Sequence, residues 1–329
     1  MVNEPSGPSV SGIESENPIS ATREASEARL RAVLQRHRRV LVAFSGGVDS
    51  TLVLRAAVDT LGREAVLAVT GVSASLAETE RSDAEALARA MGASHRWLDT
   101  QELENPNYAA NPTNRCYYCK SELYDRLQAV AASERYDAIL DGTNLDDMHD
   151  VRPGRQAARE RGVVSPLLEA GLTKSDVRAL SQAWGLPTWD KPEMPCLSSR
   201  IPYGSSVDPE KLRQIEAAED VLRRAGVRGG RVRHHGEIAR IELPVEALVR
   251  FSEETFRDAV AAGVRAAGFA YVTLDLEGYR KGRLNETASA QIAWRPASGS
   301  RAAAVLDGAA AVRAEPRIGG SSSNVGGTS

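Results

Sequence analysis

Residues 40–57 read VLVAFSGGVDSTLVLRAA, and this stretch decides the fold. An apolar, strand-like run covers residues 40–44, and helical spacing of apolar residues runs from Asp49 to Leu61. Two glycines separate the two segments, so the sequence predicts a strand, a tight loop and a helix. Paired glycines let backbone amides approach an anion closely, and the positive end of a helix dipole attracts negative charge. The loop is therefore predicted to bind phosphate.

The loop at residues 45–50 differs from two common phosphate-binding loops. It has neither the GxxxxGK[ST] pattern of a Walker A loop nor the GxGxxG dinucleotide fingerprint. In a parallel α/β sheet such a loop lies at the carboxyl edge of the strands, where ligands bind. The hydroxyl groups of Ser45, Ser50 and Thr51 would add hydrogen-bond donors there. A Gly-Gly turn that binds nothing is the simpler alternative.

Strand-like and helix-like segments alternate from this stretch to about residue 205. This alternation predicts an α/β fold with a doubly wound parallel sheet. The predicted strands are residues 40–44, 65–70, 95–98, 138–141 and 163–167. A helix is predicted from Thr173, because its hydroxyl and Asp176 match a capping box. After Pro209 the order changes to helix, two strands, helix and strand, which is the pattern of a smaller α+β domain.

The two ends of the chain differ in composition from its interior. Both ends are rich in Ser, Gly, Pro or Ala and poor in large apolar residues, which predicts disorder. The sequence therefore divides into a disordered tail over 1–22, the α/β domain over 23–205, the α+β domain over 206–285 and a second disordered tail over 286–329. The smaller domain is expected to serve substrate binding or oligomerisation.

The composition restricts the class of protein. The 329-residue chain is 42% hydrophobic and 26% charged, which is typical of a globular protein with a sizeable core. Its formal net charge of −3 argues against a general nucleic-acid binder. No apolar segment is long enough to span a membrane, and the N-terminal segment lacks the features of a secretory signal. We therefore expect a cytoplasmic protein whose partners include neither nucleic acid nor membrane.

The chain has three cysteines, Cys116, Cys119 and Cys196. An odd number without an export signal makes a disulfide framework unexpected, so metal binding or thiol chemistry is the alternative to burial. Cys116 and Cys119 form a CxxC pair at the start of a predicted helix. Prolines on both sides of Cys196 predict an extended loop, and Arg200 is near enough in sequence to favour the reactive thiolate. Packing in the core is the simpler alternative for Cys196.

The segment SGGVDS resembles the pyrophosphate loop of the PP-loop ATP pyrophosphatase superfamily. Members of this superfamily cleave ATP between its α and β phosphates and transfer AMP to an acceptor oxygen. The segments GTNLDD, at 142–147, and LTK, at 172–174, are also similar. The resemblance implies that ATP is bound by Ala43, Ser45, Gly46, Gly47, Asp49, Ser50, Thr70, Gly142, Asn144, Asp146 and Asp147.

Cleavage between the α and β phosphates needs a divalent ion, and Mg²⁺ prefers carboxylate and phosphate oxygens. Asp49, Asp146 and Asp147 are the candidates for placing Mg²⁺. The alternative for Asp49 is a first-turn carboxylate that is stabilised by the helix dipole. For Asp146 and Asp147 the alternative is a solvated position in a loop.

Several segments between residues 40 and 282 also resemble the LarE family, the ATP-dependent sulfur transferases that help to make the nickel-pincer nucleotide of lactate racemase. The matching segments are SGGVDS, NRCYYCK, GTNLDD, DVRPG, PCLSSRIPYG, RVRHHGEIARIE and LEGYRKG. The resemblance implies that ATP adenylates a carboxylate of a pyridinium biscarboxylate mononucleotide and that sulfur then displaces AMP. In a sacrificial version, Cys196 gives up its sulfur and becomes dehydroalanine. The implied catalytic residues are Cys196, Asp49 and Arg200.

The CxxC pair implies a second route for the sulfur. Cys116, Cys119 and Cys196 together match the ligands for three irons of a [4Fe–4S] cluster whose fourth iron stays open to carry a sulfide. Some members of the family have this arrangement. The alternatives are a zinc half-site, a pair of buried thiols, or plain sacrificial use of Cys196.

The remaining candidates concern the nucleotide acceptor. Arg231 and Arg233 alternate along a predicted strand, so their side chains point to one face and suit its phosphate. A solvated strand face is the alternative, and Arg152, Arg155 and Arg200 are weaker candidates. The resemblance also implies a homo-oligomer and a functional link to other proteins of nickel-pincer nucleotide biosynthesis.

Three rival functions are compatible with a PP-loop fold. The first is a tRNA thiolase, which the net charge and the lack of an RNA-binding module disfavour. The second is an amidotransferase-type synthetase that uses ammonia and needs no cysteine. The third is a nucleotide sensor without turnover, because related folds bind ATP as regulators.

Overall fold

The computed structural model describes residues 18–149, 153–280 and 282. The first sheet has the strand order β3-β2-β1-β4, and all its pairings are parallel. The strands of this sheet are β1 (Val40–Ala43), β2 (Val66–Val72), β3 (Ser94–Asp99) and β4 (Ala138–Leu140). The strands of the second sheet are β5 (Arg231–His235), β6 (Ile238–Glu242) and β7 (Tyr271–Leu274).

Helices cover both sheets, with α1 to α8 around the first sheet and α9 and α10 on the second. The helices are α1 (Pro18–Leu34), α2 (Val48–Leu61), α3 (Glu78–Ala90), α4 (Pro106–Ala109), α5 (Arg115–Glu134), α6 (Pro153–Glu160), α7 (Pro166–Glu169), α8 (Lys174–Ala183), α9 (Pro209–Arg224) and α10 (Glu254–Ala266). Short 3-10 turns occur at Arg63–Ala65, Glu102–Glu104, Asp146–His149, Leu197–Arg200 and Val245–Ser252.

The strands β1, β2 and β4 are buried over most of their length and are mainly apolar, whereas the edge strand β3 is polar and partly exposed. In β1, Val40 and Val42 pack in a core with α1, α2 and α8. Leu41, between them, points to the opposite face and packs in a second core with α5 and α6. The doubly wound parallel α/β fold predicted from the sequence is therefore confirmed.

The predicted strand at 163–167 differs from the structure. Only Val164 pairs with the sheet, through a single parallel bridge to Leu140. Pro166 then begins the short helix α7. A proline has no N–H to donate to a ladder, so the pairing ends before it.

The predicted disordered tails overlap the described residues at one end. Helix α1 begins at Pro18, so residues 18–22 are helical rather than irregular. Residues 1–17 of the first predicted tail, residues 283–285 of the predicted α+β domain and the whole second tail at 286–329 lie outside the described residues, as does Arg152.

The second sheet matches the predicted α+β pattern of the C-terminal region. Its order is β5-β6-β7, with an antiparallel β5-β6 pair and a parallel β6-β7 pair. Residues of α9 and α10 pack on it around a core that includes Val232, Ile241 and Val264. The domain boundary at 205/206 stays a prediction. Among the described helices, none has the length and apolar character needed to cross a membrane.

Candidate functional site

The phosphate loop follows β1, and Gly46 determines its shape. Gly46 has a φ of +69°, and a Cβ there would lie 3.4 Å from the Cα of Ala84 in α3. Hydrogen bonds of two serines stabilise the loop. The Oγ atoms of Ser45 and Ser50 lie 3.1 Å apart, and the hydroxyl of Ser50 donates to the carbonyl of Gly47. The loop is thus preformed at the N-terminus of α2, where backbone amides face an anion.

Asp49 lies in the first turn of α2 and makes contacts with two distant side chains. Its Oδ1 accepts a hydrogen bond of 3.1 Å from Asn144, and its Oδ2 lies 2.5 Å from Nζ of Lys174. About a fifth of each side chain in this ion pair is exposed, at 22% for Asp49 and 23% for Lys174. Lys174 was not among the predicted site residues, although it follows the predicted helix cap Thr173. The structure therefore adds a cation to the predicted nucleotide site.

The loop after β4 brings the other predicted carboxylates to the same edge. Asp146 accepts from the backbone amide of Lys174 at 2.9 Å, at the start of α8. Asp147 accepts from the backbone amide of Asn144 at 3.1 Å. Both carboxylates thus take part in the local fold of the loop, whereas Asp49 is bound only by side chains.

Gly142 touches the phosphate loop directly. A Cβ at this position would lie 2.9 Å from Cβ of Asp49 and 2.9 Å from the backbone nitrogen of Ser50. Real Cβ atoms do not approach backbone this closely, so only glycine allows the two loops to meet. This close approach is a physical reason for the glycine that opens the segment GTNLDD.

We predict that Gly142→Ala weakens ATP binding at least about tenfold and lowers the free energy of unfolding by about 1–3 kcal/mol, because it overpacks the site. Gly162→Ala is the control, since Gly162 has a φ of +63° but no atom within 4 Å of its Cβ position. That variant should lose stability through its backbone and keep its ATP affinity. Calorimetric titration with ATP and thermal unfolding measure both effects, and normal ATP affinity in Gly142→Ala would contradict the assignment.

Two other predicted ATP-binding residues lie in β1 and β2. Ala43 is the last residue of β1 and is partly exposed. Thr70 is 3% exposed; its Oγ1 donates to the carbonyl of Phe44 at 2.7 Å and lies 2.9 Å from Nε2 of His95. Thr70 thus links β1 with β3 in the structure, and its contact with ATP stays a prediction.

The loop that carries Cys196 lies at the same edge of the first sheet. The amide of Leu197 donates to the carbonyl of Ser75 at 2.9 Å, and Ser75 follows shortly after β2 ends. Upstream, Nζ of Lys191 lies 3.4 Å from the carbonyl oxygen of Gly46 in the phosphate loop. The five Cα–Cα steps from Lys191 to Cys196 can span at most about 18 Å when the chain is fully extended. Cys196 is exposed and therefore accessible to a bound acceptor.

The buried side chain of Arg200 anchors the backbone of the Cys196 loop. Only 2% of its surface is exposed, and its guanidinium forms two parallel hydrogen bonds, of 2.8 and 3.0 Å, with the carboxylate of Glu219. The remaining nitrogen donates to the carbonyls of Cys196 and Pro195. The structure therefore shows Arg200 positioning the backbone of Cys196, while its predicted effect on the thiolate stays a prediction.

The CxxC pair lies in the first turn of α5, beside the Cys196 loop. Cys119 packs against the apolar cluster that contains Leu197 and Ile201. Burial raises the pKa of the Cys119 thiol, and the carboxylate of Glu102 and the thiol of Cys196 raise it further. Cys116 is exposed to solvent, but protein atoms surround most of its thiol. This desolvation raises the pKa of the thiol, and the charge of a Cys196 thiolate raises it further.

These mutual effects indicate that the three thiols share one region, and all three are free. Within the described residues, however, no three His, Cys, Asp or Glu side chains converge as metal ligands. The thiols are thus neighbours without forming a ready metal site.

The two predicted phosphate ligands differ in their partners. Arg233 forms an ion pair with Glu242 at 2.8 Å and donates to the carbonyl of Ser199 at 2.8 Å. Arg231 is 5% exposed; its guanidinium lies 3.2 Å from Sδ of Met194 and 5.5 Å from the ring centroid of Tyr279. No carboxylate in the described part of the chain lies within 4.0 Å of it, and burial lowers its pKa. Both arginines face the segment 194–199 that contains Cys196.

Comparison with known proteins supplies the deciding observation. The chain is 43% identical over 267 residues to a Lactiplantibacillus plantarum protein named pyridinium-3,5-bisthiocarboxylic acid mononucleotide synthase. The alignment covers 81% of this chain and 96% of that relative. The chain belongs to the LarE family. Membership in the LarE family makes it an enzyme of the PP-loop ATP pyrophosphatase type, as the sequence predicted.

Other similarities agree with the LarE assignment. The chain is 50% identical over 262 residues to the uncharacterized protein slr1717 of Synechocystis, with 80% of this chain and 97% of the relative covered. It is 26% identical over 246 residues to the uncharacterized protein MJ0830 of Methanocaldococcus jannaschii, with 74% and 92% covered. The NAD synthase family model matches residues 23–130, which include the phosphate loop and the CxxC pair.

Proposed function

We propose that the protein transfers sulfur to an ATP-activated carboxylate of pyridinium-3,5-biscarboxylate mononucleotide. The observation that carries this proposal is the position of the Cys196 loop. The amide of Leu197 is bound to the carbonyl of Ser75 after β2, and the ammonium of Lys191 contacts the carbonyl of Gly46 in the phosphate loop. A thiol and a phosphate loop at one edge of a sheet are what adenylation followed by sulfur attack requires. The name of the Lactiplantibacillus plantarum relative supports the same acceptor and product.

The first step activates the acceptor. A carboxylate oxygen of the acceptor attacks the α-phosphorus of ATP, the bond to the β-phosphate oxygen breaks, and pyrophosphate leaves. The phosphate loop and the start of α2 bind the phosphates through backbone amides. Lys174, which pairs with Asp49, lies where its ammonium would neutralise departing pyrophosphate.

The carboxylates at this edge have the chemistry to hold Mg²⁺. Asp49, Asp146 and Asp147 supply hard oxygen donors of the kind that Mg²⁺ prefers. When bound, Mg²⁺ would neutralise charge on the pyrophosphate leaving group. Asp49 would be one of the residues that hold it, and the ammonium of Lys174 beside it would be available to a phosphate oxygen.

The second step transfers sulfur to the activated carbon. In its sacrificial form, the Cys196 thiolate attacks the acyl carbon, AMP leaves and a thioester forms. Loss of the Cα proton of Cys196 then breaks its Cβ–Sγ bond, so the acceptor keeps the sulfur as a thiocarboxylate and the chain keeps dehydroalanine. Arg200 would keep this loop in place through the carbonyl groups of Pro195 and Cys196.

We further propose that Cys116, Cys119 and Cys196 can bind a [4Fe–4S] cluster. The donor set fits in kind, because three free thiols affect each other's pKa in one region, but the side chains would have to converge further to ligate it. Such a cluster, when bound, would supply sulfide from an open iron and spare the cysteine. The protein's own contribution is the CxxC turn of α5 and the anchored loop of Cys196.

Arg231 is proposed to bind the phosphate of the acceptor. A buried guanidinium without a described carboxylate partner costs free energy unless an anion binds it, and arginine matches phosphate in a bidentate manner. Arg233 is already neutralised by Glu242. The sequence predicts both arginines as phosphate ligands, but only Arg231 is now expected to bind the phosphate.

We predict that Arg231→Met raises the KM for the acceptor about tenfold to a hundredfold, the effect of losing a hydrogen bond to a charged group. Its thermal stability should be unchanged or higher, because an unpaired buried cation is removed. Arg233→Met is the matched control and should lower the free energy of unfolding by about 3 kcal/mol, because it breaks a buried ion pair. Equal acceptor KM values for Arg231→Met and the unaltered chain would contradict the phosphate assignment.

The proposed function is tested with protein purified without oxygen and supplied with ATP, Mg²⁺ and the acceptor. Pyrophosphate and AMP should be released only when the acceptor is present, and mass spectrometry should show oxygen replaced by sulfur in the product. An amide product made with ammonia would instead identify an amidotransferase-type synthetase, and a salt-dependent complex with tRNA would revive the thiolase. Sedimentation of the same preparation tests the proposed homo-oligomer. The proposal also links the enzyme to the proteins that make the acceptor and use the product.

A further inference from the structure

Lys120 is a cation beside the cysteines that has no ion-pair partner among the described residues. It directly follows Cys119 in the first turns of α5 and is partly buried. In the part of the chain that the structure describes, its ammonium group makes no ion pair and no hydrogen bond. Its Nζ lies 5.6 Å from the ring centroid of Tyr124, one turn further along the helix. Its Cγ lies 3.0 Å from the position a Cβ would take at Gly154.

A short chain of contacts connects Lys120 with the phosphate loop. The hydroxyl of Tyr124 lies 3.4 Å from Oδ2 of Asp141. Asp141 precedes Gly142, whose Cα region contacts Asp49 and Ser50. Lys120 therefore lies between the thiols and the nucleotide loop, which is where an acceptor must be placed for both steps.

The pKa of Lys120 is raised, chiefly by Tyr124 and in part by the carboxylate of Asp141, but among the described residues Asp141 forms no ion pair with the ammonium group. Its Oδ1 accepts from the hydroxyl of Ser165 at 2.7 Å and from the amide of Thr143 at 3.1 Å. Its Oδ2 accepts from the hydroxyl of Thr143 at 2.8 Å. Asp141 is thus fully used in fixing the loop after β4. The surroundings of Lys120 therefore keep it charged, while no ion-pair partner among the described residues competes with an anion that binds there.

We propose that Lys120 binds a carboxylate of the acceptor and holds the pyridinium ring between the phosphate loop and the thiols. This inference rests on the proposed function and assigns one more residue to it. Lysine is a compact point charge that suits a single carboxylate, whereas the guanidinium of Arg231 suits a phosphate. Two unpaired cations, Lys120 beside the CxxC pair and Arg231 beside Met194, thus match the two kinds of anion on the acceptor.

The test measures binding of two ligands to the full-length protein without ATP. One ligand is the biscarboxylate mononucleotide, and the other is nicotinamide mononucleotide, which keeps the ring, ribose and phosphate but carries no carboxylate. Lys120→Met should weaken binding of the biscarboxylate about tenfold or more, because a charge-assisted contact is lost. It should leave nicotinamide mononucleotide unaffected, and Lys120→Arg should keep most of the affinity because it keeps the charge.

The outcomes separate this inference from the function on which it rests. Equal binding of the biscarboxylate by Lys120→Met and the unaltered chain would overturn the inference, and so would an equal loss for both ligands, which would assign Lys120 to the phosphate. If the unaltered chain neither binds the biscarboxylate nor releases pyrophosphate with it, the proposed function itself fails. Lys120→Gln is the second variant if methionine impairs folding, with thermal unfolding as the check.

Discussion

Cys196→Ala is expected to abolish thiocarboxylate formation while pyrophosphate is still released in the presence of the acceptor. Adenylation joins an acceptor oxygen to phosphorus and uses no sulfur, so the phosphate loop and its carboxylates remain sufficient for it. The second step lacks its nucleophile in this variant, and the adenylate is left to hydrolyse. Mass spectrometry of the product and an assay for pyrophosphate measure the two steps separately.

The variant should fold normally, which makes a loss of product interpretable. Cys196 is exposed, so removing its sulfur leaves no cavity, and an exposed substitution typically changes stability by less than about 0.5 kcal/mol. The contacts that hold the loop use backbone atoms, such as the amide of Leu197 and the carbonyl of Cys196. Formation of thiocarboxylate by Cys196→Ala would contradict the proposed sulfur transfer.

Cys116→Ser and Cys119→Ser distinguish the two sources of sulfur. If a cluster is used, either variant should lose iron and form at most one product per chain, with Cys196 converted to dehydroalanine. If the cysteine is always sacrificed, the unaltered chain should already be limited in that way and contain no iron. Iron analysis, product per chain and intact mass decide between the two. Unchanged multiple turnover in both serine variants would refute the cluster.

The sequence was sufficient for the architecture of the first sheet because its signals are local. A run that is apolar at every position predicts a strand buried on both faces. Val40 and Val42 pack in one core and Leu41 in the other, as this pattern predicts. The capping box at Thr173 and Asp176 is likewise a local pattern, and both of its hydrogen bonds are present. Where a local signal was ambiguous, at 163–167, Pro166 limited the strand to one bridge.

The site was less predictable, because its partners are far apart in the chain. Asp49 and Lys174 are 125 residues apart, and no local pattern shows that they form an ion pair. The side chains of Arg231 and Arg233 were expected to share a face, and both do point toward 194–199. The sequence could not show that Glu242 pairs with Arg233 and Arg240 but not with Arg231, since that depends on the register and side-chain directions of β5 and β6.

Asp49→Asn is expected to slow acceptor-dependent pyrophosphate release about a hundredfold to a thousandfold, as when one preorganised electrostatic contact to a transition state is lost. The amide keeps the size of the side chain and can still accept the hydrogen bond from Asn144, but it has no negative charge for Mg²⁺. Lys174 also loses the carboxylate that orients it beside the phosphates. The dependence of the rate on Mg²⁺ concentration should shift to higher concentrations.

Asp59→Asn is the matched control for this effect. Asp59 lies on the same helix as Asp49 and pairs with Arg55 at 2.7 Å on the protein surface. Such an exposed pair contributes about 0.3–0.5 kcal/mol, so the control should keep its rate and nearly all its stability. If Asp49→Asn released pyrophosphate as fast as Asp59→Asn at every Mg²⁺ concentration, Asp49 would be only a first-turn carboxylate stabilised by the dipole of α2. The metal would then have to be placed by Asp146 and Asp147, whose oxygens already accept backbone hydrogen bonds.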